Sequence, residues 1–170
     1  MMTKTKSYLA LIITFLIITN CNAQKTTVKD FDKLVGSWQG SLTYLDYSSG
    51  KPYTMSADID IKRIGKTNQF SFSNIYPKEK SANGIDTITI SKDGKYIDKE
   101  LVKSRRKLAN GDIEIITEEP GKDGNDNKPA TIRHTYTFGK TTYKNKKDVQ
   151  FAGETEWINR HEYSYVRKKS

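Results

Sequence analysis

Between Tyr53 and Lys62 every second residue is apolar: Tyr53, Met55, Ala57, Ile59 and Ile61 alternate with Thr54, Ser56, Asp58, Asp60 and Lys62. Successive side chains of a strand point to opposite faces, so this run turns one face to a core and the other to water. The pattern recurs. Trp38, Leu42 and Tyr44 alternate with Gln39, Ser41 and Thr43, and Phe70 and Phe72 with Ser71 and Ser73. Ala130, Ile132, His134, Tyr136 and Phe138 alternate with Thr131, Arg133, Thr135 and Thr137. Further strands are expected over Ile85–Ile90, Lys95–Lys103 and Asp112–Glu119, with Asp93-Gly94 and Asn110-Gly111 as turns between them. Pro120 to Pro129 reads as a long exposed loop, and Thr142–Phe151 as a polar strand near an edge or seam. The last strand runs from about Glu154 to Arg167 and sets Trp157, His161, Tyr163 and Tyr165 on one face.

Turns at short, steady intervals and no long helix predict an all-β fold. Left open, so many strands would expose two ladders of unpaired backbone groups. An up-and-down series of hairpins removes them by joining the first strand to the last. The expected architecture is an antiparallel up-and-down barrel of about 8–10 strands, wide enough for one small ligand or just filled by side chains. Ahead of it, Val28, Phe31, Leu34 and Val35 have helical spacing for a turn or two, a short cap for one barrel end.

Residues 1–23 are expected to be a signal peptide, and 24–170 one barrel domain. Lys4 and Lys6 precede an apolar run, Leu9 to Thr19, too short to span a bilayer. Two endings fit. Cleavage after Ala23 would release a secreted or periplasmic chain; lipidation of Cys21 would leave a membrane-anchored lipoprotein. Cys21 is the only cysteine, so the domain has no internal disulfide under either ending. Basic residues number 29 against 20 acidic ones and are spread along the chain. In an exported protein they read as a solvated face or as attraction to an anionic envelope, and nucleic acid is not an expected partner.

The strand that opens the barrel begins Leu34-Val35-Gly36-Ser37-Trp38, and the chain ends Trp157-Ile158-Asn159-Arg160-His161-Glu162-Tyr163-Ser164-Tyr165-Val166-Arg167. On these residues the chain resembles the lipocalin-like (calycin) group of secreted barrels. The resemblance implies that Trp38 seals the closed end and that an arginine of the last strand, Arg160 or Arg167, packs across its ring. Arg160 would need a bulge to point inward. The disulfide cysteines and C-terminal helix usual in better-defined lipocalins are lacking.

The expected ligand-facing set is Trp38, Tyr44, Met55, Phe70, Phe72, His134, Tyr136, Phe138, Trp157, His161 and Tyr163. Apolar rings with a few polar groups suit a small hydrophobic or amphipathic ligand. They equally suit a filled core, in which case the barrel would be a scaffold for an envelope interaction protein. No reaction is legible. The mature chain has no cysteine and no Gly-x-Ser-x-Gly elbow, and Glu118-Glu119 and Glu154/Glu156 read as solvated charge, so no enzyme is expected. No metal or cofactor is implied. His134 and His161 are the only histidines, and Asp123, Asn125 and Asn127 lack the glycine and glutamate of a calcium loop.

Overall fold

The computed structural model describes residues 25–46 and 49–169. Residues 1–23, expected to be a signal peptide, and with them Cys21, lie outside the described residues. The described chain is all-β, with ten strands in one antiparallel sheet: β1 (Gly36–Asp46), β2 (Lys51–Arg63), β3 (Gln69–Ile75), β4 (Gly84–Thr89), β5 (Tyr96–Ile97), β6 (Glu100–Lys107), β7 (Ile113–Asp123), β8 (Lys128–Phe138), β9 (Thr142–Phe151) and β10 (Ile158–Arg167). Their order is β4-β3-β2-β1-β10-β9-β8-β7-β6-β5, so the first strand pairs with the last, from Trp38↔Arg167 to Tyr44↔His161. The sheet thereby curls into a nearly closed barrel.

The wall is incomplete on one side. β5 has only two residues, and β4 touches it through a single bridge, Ile90↔Ile97, with Asp98 N–H donating to Thr89 O. Asp98 has φ +52° and turns the chain straight back into β6, so the segment read as one strand, Lys95–Lys103, is a hairpin. Above that turn, β4 and the outer half of β7 face each other unpaired.

A four-residue helix, α1 (Val28–Phe31), and a 3-10 turn, Asp32–Leu34, plug one end. Asp30 accepts from Thr27 N–H at 2.9 Å, which satisfies a free donor of the first turn. It also takes Arg105 of β6 at 2.6 Å, locking the plug to the wall. Burial is the largest influence on the Asp30 carboxyl and pushes its pKa up, yet Arg105 and Thr27 together hold it below the ordinary aspartate value. Phe31 drops its ring among Phe70, Tyr136 and Phe138, at 5.7 to 6.1 Å between centroids.

Three readings from the sequence are corrected. β9 is no edge strand: it lies between β8 and β10, with Tyr143, Asn145, Lys147 and Val149 alternating with outward residues. Pro120 to Asp123 are strand, paired with β8, and only 124–127 form the loop. Pro120 is tolerated because β6 ends its pairing at Glu118, so no neighbour needs its missing N–H. Last, β10 starts at Ile158, so Glu154 to Trp157 are not strand.

Candidate functional site

Cross-strand registers stack the inward side chains in layers. At the closed end lie Ile59, Trp38 and Arg167; above them Ala57, Gly40, Tyr165, Tyr143, Phe138 and Ile113. The third layer is Met55, Leu42, Tyr163, Asn145, Tyr136 and Ile115, and the fourth Tyr53, Tyr44, His161, Lys147, His134 and Thr117. Polarity rises from one end of the tube to the other.

The closed end is packed solid. Trp38 is 0% exposed and donates from Nε1 to Leu34 O at 2.8 Å. Arg167 supplies the cation across its ring, 4.0 Å from the centroid, and donates to the carbonyls of Lys33, Val35 and Lys140. Gly36, at φ +129°, makes room: a Cβ there would stand 2.7 Å from Arg167 Nη1. Of the expected ligand-facing residues, Trp38, Phe70 and Phe138 belong to this plug and are fully buried.

Midway up there is room. A cavity of about 130 Å³ is lined by Ile59, Phe72, Ile88, Tyr143, Tyr163 and Tyr165 on its apolar side and by Asn74, Asp86 and Asn145 on its polar side. The rings of Tyr143 and Tyr165, and of Tyr163 and Tyr165, are stacked, and the Tyr163 hydroxyl meets that of Tyr76 at 2.8 Å. Burial raises the pKa of Tyr143, Tyr163 and Tyr165, so all three phenols stay neutral. Asn145 Oδ1 is buried at this wall without a donor among the described residues, while the same side chain hydrogen-bonds the Tyr143 phenol.

The fourth layer carries the charge. Glu100 takes the Thr117 hydroxyl and places Oε1 2.9 Å from His134 Nδ1. Burial works to raise the Glu100 pKa, but His134 and Thr117 outweigh it and keep the carboxyl charged. Asp123 binds Arg160 at 2.5 Å and Lys147 at 3.5 Å. Arg160 sits where the β9–β10 register shifts between Asn159 and His161, so the bulge it needs to point inward exists. The Trp38 partner is nevertheless Arg167. Burial, then the neighbouring charges of His134 and Lys147, lower the His161 pKa to about 4.

Among the expected set, Phe72 and Tyr163 line the cavity, Met55 and Tyr136 share the third layer, and His134 and His161 face each other across Lys147. Tyr44 reaches the open rim, 36% exposed and paired with Tyr53. Trp157 is corrected: it stacks at 3.6 Å on Arg133, which points outward to Glu118. The bulge puts Trp157 out of phase with His161 and Tyr163. The cavity residues Asn74, Asp86 and Asn145, and the inward charges of Glu100, Lys147 and Asp123, carry no hydrophobic signal and were legible only through register.

No family model matches the chain, and no curated protein matches it. Solved structures do. The S-type phycobiliprotein lyase CpeS of Guillardia theta aligns with TM-score 0.50 and 12% identity over 85% of this chain and 94% of that one. Rv2717c of M. tuberculosis aligns at 0.49 and 12%, over 84% and 97%. A protein of unknown function from the DUF3598 family of Nostoc punctiforme aligns at 0.40 and 11%, over 85% of this chain and 50% of its own. The likeness is one of fold. What the chain shares with the lyase structure is its barrel architecture.

Proposed function

We propose that the chain is an exported barrel that binds one small amphipathic molecule of about one ring in its interior. The observation that carries this is the mid-barrel cavity with the donorless Asn145 Oδ1 in its wall. A cavity of about 150 Å³ in another protein admits benzene, so 130 Å³ suits a single ring. Tyrosine faces, Ile59, Phe72 and Ile88 provide the stacking surface. A buried acceptor left unpaired costs about 1–3 kcal/mol, so a guest with a hydroxyl or amine hydrogen regains it. The partly exposed charges above would meet the polar end of a larger relative of that guest. The fold supports this reading in one respect: a phycobiliprotein lyase shares it, and such a barrel handles a small molecule. We read the chain as a binder.

The test is a thermal-shift and calorimetric panel of phenols, anilines, benzene-like hydrocarbons and fatty acids on the purified chain. Single-ring donors should stabilise the barrel saturably, fatty acids should not, and Asn145→Leu should abolish the donor preference. Failure of every single-ring compound to bind overturns the proposal. Cell fractionation and mass spectrometry of the N-terminus would separate Gln24 from lipidated Cys21.

A further inference from the structure

Charge is divided between the two ends of the barrel. The closed end comprises residues 25–35, the turns 64–68, 90–95, 108–112 and 139–141, and residues 168–169. These segments hold nine lysines against four aspartates, whereas the turns of the opposite end hold three lysines against five carboxylates. Two of the four aspartates are committed, Asp30 to Arg105 and Asp32 to Arg63. Lys33, Lys66, Lys92 and Lys140 are exposed and in no ion pair within 4.0 Å among the described residues. Arg167 is held by three carbonyls, which orient its charge without cancelling it.

Two further features share that end. A groove of about 840 Å³ runs between the 110–112 and 139–141 turns and is lined by three cations, Lys33, Lys140 and Arg167, and one carboxylate, Asp112, which takes Asn110 Nδ2 at 2.9 Å. Val35 and Ile64 stand 38% and 40% exposed among the lysines. Cations around a groove, with isolated apolar side chains between them, suit a surface that is anionic outside and oily just beneath.

We propose that the closed end is a docking face for an anionic lipid bilayer, with headgroup phosphates in the Lys33–Lys140–Arg167 groove and the opposite, acidic end directed away. Each lysine near such a surface is worth about 1 kcal/mol, so several together give reversible binding. The position of the leader agrees. Lys25 opens the described chain at this end, four residues after Cys21, so a lipid on Cys21 would act on the same membrane as a second signal. The proposal does not depend on what occupies the interior.

The full chain is tested by vesicle co-sedimentation, comparing phosphatidylcholine alone with phosphatidylcholine containing phosphatidylglycerol. The leader, with Lys4 and Lys6, adds a phosphatidylglycerol-dependent part that is common to every variant, so the difference between the variants is the readout. Lys33→Glu, Lys66→Glu, Lys92→Glu and Lys140→Glu together should cut the phosphatidylglycerol-dependent part at least about tenfold. Lys51→Glu, Lys78→Glu, Lys80→Glu and Lys122→Glu, the same charge change elsewhere, should leave most of it. Glutamine replacements serve if the glutamate set does not fold. Equal loss in both quartets, no preference for phosphatidylglycerol, or tighter binding to duplex DNA than to vesicles at the same salt overturns the proposal.

Discussion

Arg167 stands over the Trp38 indole with its guanidinium carbon 4.0 Å from the ring centroid, and it closes the barrel by joining last strand to first. It also gathers three carbonyls from the plug and the β8–β9 turn. Arg167→Ala should cost about 1–3 kcal/mol in denaturant unfolding. Arg167→Lys should recover less than half, because an ammonium cannot reproduce the planar fork. Full recovery by lysine would show that charge alone matters there.

Gly36 answers to the same arginine. Its φ of +129° is strained for any side chain, and a Cβ would meet Arg167 Nη1 at 2.7 Å. Gly36→Ala should therefore destabilise by about 1–3 kcal/mol, and by less when Arg167→Ala is already present. Strict additivity in that double-mutant cycle would mean that backbone strain is the whole cost.

The Asp30–Arg105 pair fastens the N-terminal plug. Because the Asp30 pKa is lowered below 3.8, its contribution is present in full above that value and is lost as pH falls through the folded pKa. Asp30→Asn should cost about 1–3 kcal/mol at neutral pH, a figure reduced for the partial exposure of Arg105. The gap to wild type should close in strong acid, which melting curves across pH would reveal.

His161 gives a second pH window. Its folded pKa of about 4 lies below the unfolded 6.5, so the folded state binds fewer protons between those values. Stability is full above 6.5 and declines as pH falls toward 4, by up to about 3 kcal/mol. His161→Gln should flatten that decline. A wild-type melting temperature that does not change between pH 7 and 5 would contradict the burial of this imidazole.

Much of the barrel could be read from the residues, since strands with one oily face, such as Tyr53 to Ile61, declare their period. Gly36-Ser37-Trp38 likewise marked the sealed end. The site was harder. β9 is polar on both faces because the tube is polar inside at its upper half, so Asn145 and Lys147 sent no apolar signal inward. Trp157 was misplaced because parity cannot be carried across the bulge at Asn159–His161. Asp98, a non-glycine at positive φ, divided a strand that periodicity left whole.

The short β5 has a mechanical consequence. A hoop of unbroken ladders holds its girth to a value set by strand number and stagger. Here one stave is missing over half its height, so among the described residues the upper tube is a split ring, bridged beneath by the hairpin whose Lys99 reaches Glu119. Such a ring resists widening less at this flank than elsewhere, and widening there would part no strand pairing.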